Sequence, residues 1–140
     1  MAGHRAGGQS CGDLTGEVLI DCTNPLTPDF TALEVGHTTS GAEQVAAWAP
    51  GARVRKAMNQ IGAPMMDRPE LPSTPVMFTC GDDDAAKELT GALVSALGFK
   101  TIDAGDLSVA RLLEPYGLIW IHLALRRGFG VNFAFGLLRG

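Results

Sequence analysis

The sequence lacks the residue patterns that mark metal, disulfide and covalent chemistry. It has three cysteines without CxxC spacing and three histidines without HxxxH or HExxH spacing. Zinc sites and disulfide frameworks depend on such spacings, so neither is indicated. A GxSxG motif is absent, and no cysteine has a recognisable activating partner in sequence, which leaves covalent catalysis without support. We therefore predict no catalytic side chain and no metal site.

Clustered positive charge and long apolar runs are also lacking. The net charge is −4 and no basic run exceeds Arg126-Arg127, which argues against nucleic acid as a partner because such binding needs clustered Lys and Arg. The apolar stretch 116–125 has ten residues, whereas a membrane-spanning helix needs about 20. Residues 1–13 contain no apolar core of a signal peptide. We expect a cytoplasmic protein that contacts no membrane.

Short apolar segments alternate with helical patterns along the chain. The predicted strands are Val18–Cys22, Arg53–Met58, Val76–Cys80 and Lys100–Asp103, and helices are predicted after Ser40, over 84–97 and over 107–127. This alternation is typical of an α/β fold with a parallel sheet. Cys22 and Cys80 end apolar strands, so both are expected to be buried free thiols.

Polar residues mark the expected helix starts. Ser40 and Glu43 have the spacing of a capping box. The aspartates at 82–84 are interpreted as a helix cap that satisfies free backbone amides, with a Mg²⁺ or Ca²⁺ site as the weaker alternative because one turn supplies too few oxygen ligands. Gly98 is expected to end the helix that follows.

The strand ends are the candidate binding residues, since ligands of open α/β sheets bind beyond the carboxyl ends of the strands. Those ends are 23–25, 59–63, 81–83 and 104–106. In the second, Gly62 would let the backbone approach a flat ligand, Ile61 offers an apolar face, and Asn59 and Gln60 carry amides. An ordinary polar turn is the alternative interpretation. No GxGxxG phosphate loop occurs.

Four ordered blocks resemble a known family. They are VLIDCTNPL, VGHTTSGAEQVAAWAPGARVRKAMNQIGA, VMFTCGDDDAAKELTGALVSALGF and IDAGDLSVARLLEPY, and they resemble the NADPH-dependent coenzyme F420 reductases over about residues 13–125. The resemblance implies a partial Rossmann-like parallel sheet with flanking helices and a long C-terminal helix. Within a single domain 1–140, it implies that 13–103 is the C-terminal portion of a Rossmann fold and that 104–140 is a helical C-terminal segment.

The resemblance also implies a function, the transfer of hydride between NADPH and F420. Both cofactors carry that chemistry, so the protein mainly orients two rings. By position, Asn24, Pro25 and Leu26 resemble the wall beside the nicotinamide. The shelf at the hydride-transfer site corresponds to Asn59, Gln60, Ile61, Gly62 and Ala63. Some family members carry histidine at position 59 and proline at position 62, so this chain departs from them there.

A larger departure concerns the phosphate loop. The family begins with a strand, a glycine-rich loop, a helix and a second strand, and none of these has a counterpart in this sequence. The first hypothesis is an oxidoreductase-family protein, expected to be a homo-oligomer, that keeps its nicotinamide-side half and is completed by dimerisation or a partner chain. The alternative is a non-catalytic remnant or protein-interaction module that binds no dinucleotide. A third hypothesis is a module that binds F420 alone.

Overall fold

The computed structural model describes residues 11–140 as a four-stranded sheet with helices on both faces. The strands are β1 (Val18–Asp21), β2 (Arg53–Lys56), β3 (Val76–Gly81) and β4 (Lys100–Asp103), and the α-helices are α1 (Gly41–Trp48), α2 (Asp84–Ala96) and α3 (Ala110–Arg126). Short 3₁₀ turns cover Ala63–Met65 and Leu107–Val109. The expected Rossmann-like α/β class, with flanking helices and a long C-terminal helix, is confirmed.

The sheet is mixed, which corrects the expectation that it is parallel throughout. Its order is β1-β2-β3-β4, with β1 parallel to β2 and β3 parallel to β4, but β2 and β3 are antiparallel. The connection 57–75 contains four prolines and only a 3₁₀ turn, so it provides no helical crossover of the kind that joins parallel strands. The chain instead turns back along β2.

This reversal separates the strand ends into two groups. Residues 23–25 and 59–63 follow β1 and β2 at one end of the sheet, whereas 81–83 and 104–106 follow β3 and β4 at the opposite end. The expectation that four strand ends converge is therefore wrong. The ends of β1 and β2 lie together and carry the predicted wall and shelf, whereas the ends of β3 and β4 lie together at the opposite end of the sheet.

Two apolar clusters cover the two faces of the sheet. One packs α2 on the sheet through Met77, Val94 and Phe99. The other packs α1 and α3 through Ala42, Val54 and Leu113. Neighbouring residues of one strand divide between the clusters, because successive side chains of a strand point to opposite faces.

The helix starts follow local sequence signals. The Glu43 N–H donates to Ser40 Oγ at 3.1 Å and the Ser40 hydroxyl donates to Glu43 Oε2 at 2.7 Å, which confirms the capping box. Asp83 caps α2 by accepting from the Ala86 N–H at 2.7 Å. Asp82 accepts from the Leu107 N–H at 2.9 Å, so two of the three aspartates satisfy helical amides, as expected.

The C-terminal segment departs from the predicted helix. It is helical over Ala110–Arg126, but residues 127–140 form neither helix nor strand in this described part of the chain. Gly128 and Gly130 have φ values of 75° and 68°, a region that glycine enters without steric cost. The chain then folds back, and the Phe135 carbonyl accepts from the Val76 N–H at 3.0 Å.

Candidate functional site

Asn24 and Asn59, predicted on the wall and the shelf, meet where β1 and β2 end. Asn24 Nδ2 donates to the Asn59 carbonyl at 2.9 Å, and Asn59 Nδ2 donates to Asn24 Oδ1 at 2.9 Å. Asn59 Nδ2 also donates to the Leu113 carbonyl at 2.8 Å. We call these three residues the strand-end bridge. It joins both strand ends to α3.

Gln60 is buried and its amide is fully used within the protein. Its Nε2 donates to Asn59 Oδ1 and to the Phe78 carbonyl, both at 2.8 Å. Its Oε1 accepts from the Phe78 N–H at 3.1 Å. Beyond the end of β2, the Gln60 side chain therefore pairs with the backbone N–H and carbonyl of Phe78 in β3, as a neighbouring strand would. Its hydrogen bond to Asn59 also orients that side chain.

Ile61 and Gly62 of the shelf are covered by protein. Ile61 is buried in the core cluster that includes Met58 and Met65. A Cβ atom at Gly62 would lie 2.6 Å from Trp120 Cη2, so Trp120 of α3 already takes the close approach that this glycine permits. Ala63 is exposed. The close-approach position predicted for a flat ligand is filled here by the indole of the same chain.

Pro25 and Leu26 anchor the loop after β1. Pro25 is buried, and a Cβ atom at Gly41 would lie 3.3 Å from its Cγ and Cδ atoms, so the start of α1 packs directly on the proline. Leu26 is half-buried and forms an antiparallel bridge with Leu33. Both residues hold the wall in place from behind Asn24.

Directly beside the strand-end bridge lies a set of charged residues that the sequence interpretation missed. Lys56 Nζ donates to Asp21 Oδ2 at 2.9 Å, to Glu114 Oε1 at 2.8 Å and to the Thr23 carbonyl. The side chains of Lys56, Asp21 and Glu114 are 0%, 3% and 1% exposed. We call these three the buried charge network.

Backbone amides at the start of α1 offset the remaining negative charge of this network. One lysine and two carboxylates leave an excess negative charge, and Glu114 accepts from the Gly41 N–H at 2.9 Å and the Ala42 N–H at 3.0 Å. Free amides at a helix N-terminus carry partial positive charge and favour a carboxylate. A sequence signal existed, since Lys56 and Glu114 each adjoin apolar residues in elements predicted to be buried.

The cysteines differ from each other. Cys80 is buried, as expected, and burial raises the pKa of its thiol to about 12. Cys22 is exposed, which corrects the prediction that it is buried. The strand ends at Asp21, whose side chain turns inward to Lys56, so the next side chain points outward.

The fold has counterparts among known proteins. A candidate F420-dependent NADP reductase from Arthrobacter sp. FB24 superposes with a TM-score of 0.83 at 33% identity, covering 96% of this chain and 61% of that chain. This chain is therefore similar to an F420-dependent NADP reductase in both fold and sequence. The hypothetical protein SMa0349 from Sinorhizobium meliloti gives a TM-score of 0.66 at 28% identity, covering 76% of this chain and 54% of that chain.

A curated protein is also similar to part of this chain. Metalloreductase STEAP3 of Rattus norvegicus is 32% identical over 105 residues, which are 75% of this chain and 21% of STEAP3. The chain therefore spans less than two thirds of the length of each of these relatives. No protein-family model matches it.

Other site types have little support in the part of the chain that the structure describes. Within residues 11–140, no group of three or more His, Cys, Asp or Glu side chains could hold a metal ion. His37 and His122 are exposed, and His4 lies outside the described residues. No helix among the described residues is long and apolar enough to cross a membrane.

Proposed function

We propose that this chain forms the nicotinamide side of a Rossmann-type oxidoreductase that uses NADPH, with coenzyme F420 as the second cofactor. The observation that carries the proposal is the strand-end bridge beside the buried charge network. It makes a rigid polar wall at the carboxyl ends of two adjacent parallel strands. That position is where dinucleotide-binding sheets place their ligands.

In this proposal the residues bind and orient rather than react. The cofactors supply the hydride chemistry when they are bound. Asn24, Pro25 and Leu26 would lie beside the nicotinamide, with Asn24 held by Asn59. The buried charge network would keep the loop after β1 fixed through the Thr23 carbonyl. Fixed geometry of this kind lowers the entropic cost of aligning two rings.

The fit to the two cofactors differs. The wall at Asn24 is half-buried and rigid, which fits the edge of a dinucleotide. The shelf at Gly62 does not fit a second ring as it stands, because Trp120 lies against it. The position beside Gly62 is therefore not assigned to the F420 ring.

The same proposal includes location and assembly. Cys11, Cys22 and Cys80 are free, which favours the reducing cytoplasm. Leu112 and Ile119, seven residues apart on α3, are exposed at 69% and 45%. An exposed apolar helix face of this kind favours self-association into a homo-oligomer, and sedimentation velocity would measure it.

A non-catalytic interaction module is the second candidate function. It is favoured by β1, which has β2 on one side and no strand on the other among the described residues. A free strand edge presents unpaired backbone groups to another chain.

Calorimetric titration of the chain with NADPH separates the two candidates. The reductase proposal predicts micromolar affinity for the wild type. Asn24→Ala should weaken binding at least about five-fold by removing the hydrogen bonds that hold the wall. Ser95→Ala, which removes an exposed hydrogen bond between α2 and Thr101, is the control and should bind like the wild type. No heat of binding at millimolar NADPH would favour the interaction module.

A further inference from the structure

Gly117 lies in the middle of α3, directly against the strand-end bridge. A Cβ atom at this position would lie 2.6 Å from the Asn59 carbonyl oxygen, 2.8 Å from Asn24 Oδ1 and 3.0 Å from Asn59 Nδ2. Even in weak C–H···O contacts, carbon and oxygen stay about 3.3 Å apart or more, so no side chain fits here. Glycine is therefore the residue that allows α3 to reach the bridge.

A second helix of the chain shows that this close contact is specific to Gly117. Glycine has low helix propensity, because it loses more backbone entropy on folding than any other residue. Gly91 also lies inside a helix, α2, but a Cβ atom there would lie 3.9 Å from Thr101 Cγ2, an ordinary van der Waals distance. Alanine would thus fit at Gly91, whereas it would not fit at Gly117.

α3 contacts the strand ends at three successive turns. One turn before Gly117, the Leu113 carbonyl accepts from Asn59 Nδ2 at 2.8 Å. One turn after it, Trp120 lies against Gly62. Leu113, Gly117 and Trp120 are all buried, and their spacing of four and three residues places them on one face of the helix. The close approach at Gly117 therefore sets how near α3 lies to the bridge.

The hydrogen bonds of the bridge leave Asn24 with a free donor. Asn59 Nδ2 uses both N–H groups, on Asn24 Oδ1 and on the Leu113 carbonyl. Asn24 Nδ2 also carries two N–H groups, but among residues 11–140 its acceptor is the Asn59 carbonyl alone. Asn24 is half-buried. It is thus the member of the bridge that has an N–H left for a ligand.

We propose that Gly117 is a positioning residue, which lets α3 hold the Asn24 amide in the orientation that presents its remaining N–H to a ligand. This inference rests on the proposed function and deepens it, because it assigns control of the wall to α3 as well as to the strands. A larger residue at 117 would displace either α3 or the bridge. The first would pull the Leu113 carbonyl away from Asn59, and the second would tilt Asn24.

The test compares Gly117→Ala with Gly91→Ala in the full chain. Alanine raises helix propensity at both positions, so an effect on the helix alone would be the same in both variants. The side-chain amide signals of Asn24 and Asn59 in heteronuclear NMR spectra report the bridge, and calorimetry reports the affinity for NADPH.

We expect Gly117→Ala to shift both side-chain amide signals and to weaken NADPH binding at least about five-fold, because the wall is no longer held in place. Gly91→Ala should match the wild type in both measurements. Unchanged amide signals in Gly117→Ala, or equal losses of affinity in the two variants, would overturn the positioning role.

A double variant tests whether Gly117 acts through Asn24. When Asn24→Ala has already removed the amide, adding Gly117→Ala should weaken NADPH binding by less than about two-fold further, since residues that act through one contact are not additive. A further loss as large as that of Gly117→Ala alone would show that the glycine acts by another route, and the inference would be wrong.

The unsubstituted chain provides a measurement that needs no variant to fold. A nuclear Overhauser contact should join the Gly117 α protons to the side-chain amide of Asn59, and its absence would contradict the close approach. During titration with NADPH, the Asn24 side-chain amide signal should shift more than that of Asn59. The opposite order would overturn the inference.

The same measurements keep the two proposals apart. If NADPH does not bind, but Gly117→Ala still shifts the amide signals of the bridge, the proposed function alone is refuted. If NADPH binds to the wild type and Gly117→Ala changes neither the amide signals nor the affinity, the positioning role of Gly117 alone is refuted.

Discussion

Arg55 and Lys56 are neighbours in β2 and both are fully buried cations, yet they meet very different surroundings. Lys56 has two buried carboxylates and a carbonyl as acceptors. Arg55 points to the other face of the sheet, where it donates to the Gly81 carbonyl at 2.9 Å and to Thr79 Oγ1 at 3.2 Å. Its carboxylate partner, Asp103, is 31% exposed and lies 3.4 Å away.

The difference shows that the two cations have different tasks. Every proton of the Lys56 ammonium has an acceptor, which is the condition under which a buried charge is tolerated. Arg55 leaves its buried Nε without a partner, and its weak carboxylate contact is shared with Lys87. Lys56 therefore fixes the candidate wall, whereas Arg55 fastens β2 across β3 to β4.

The largest expected effect comes from Lys56→Met. The change leaves Asp21 and Glu114 buried and facing each other without a cation, so the free energy of unfolding should fall by about 3–5 kcal/mol. Urea denaturation followed by circular dichroism measures this loss. The helix start at Gly41 should also lose order, because Glu114 is its cap.

The control for this prediction is the double variant Lys56→Met with Glu114→Gln. Neutralising one carboxylate removes much of the repulsion, so the double variant should be more stable than Lys56→Met alone. If Lys56→Met unfolds at the same urea concentration as the wild type, the network does not hold the wall.

A smaller effect is expected of Arg55→Met. The Gly81 carbonyl and the Thr79 hydroxyl lose a donor, which should cost about 1–3 kcal/mol. Asp103 keeps its contact with Lys87 at 2.8 Å, so no carboxylate is left without a cation. The same urea titration measures this change. If Arg55→Met lowers the free energy of unfolding more than Lys56→Met does, the proposed difference between the two cations is wrong.

The sequence predicted what local signals determine. The cap formed by Ser40 and Glu43, the cap at Asp83 and the stop at Gly98 depend on residues within one turn, and the structure confirms them. Asn24 and Asn59 were each expected at a strand end, but the hydrogen bonds that pair them were not predicted. The resemblance to F420 reductases was confirmed as a similarity of fold and sequence.

Features that depend on distant partners were missed. Lys56 and Glu114 are 58 positions apart, and neither residue signals by itself that the other will neutralise it. The contact of Trp120 with Gly62 likewise needs the position of α3 on the sheet. The reversal at β3 was missed because strand patterns contain no direction, and only the chain path through 57–75 determines it.

The smallest expected effect is a pH dependence at Asp103. Burial raises the pKa of this carboxyl, but the hydrogen bond and charge of Lys87 outweigh burial and hold it below the ordinary value of 3.8. Because the pKa is lower in the folded than in the unfolded state, ionised Asp103 stabilises the fold above the unfolded-state pKa. This stabilisation is lost as the pH falls through the folded-state pKa. The relevant window therefore lies below about pH 4.

Asp103→Asn should lower the free energy of unfolding by less than about 1 kcal/mol at pH 7, since the pair is partly exposed. The gap between variant and wild type should narrow as the pH falls below about 4, because the wild-type carboxyl is then protonated as well. Urea midpoints measured from pH 7 down to pH 3 would follow it. If the difference in stability between variant and wild type stays constant over this range, Asp103 acts through packing and not through its charge. Arg55 would then have no effective charge partner, and its contrast with Lys56 would be sharper.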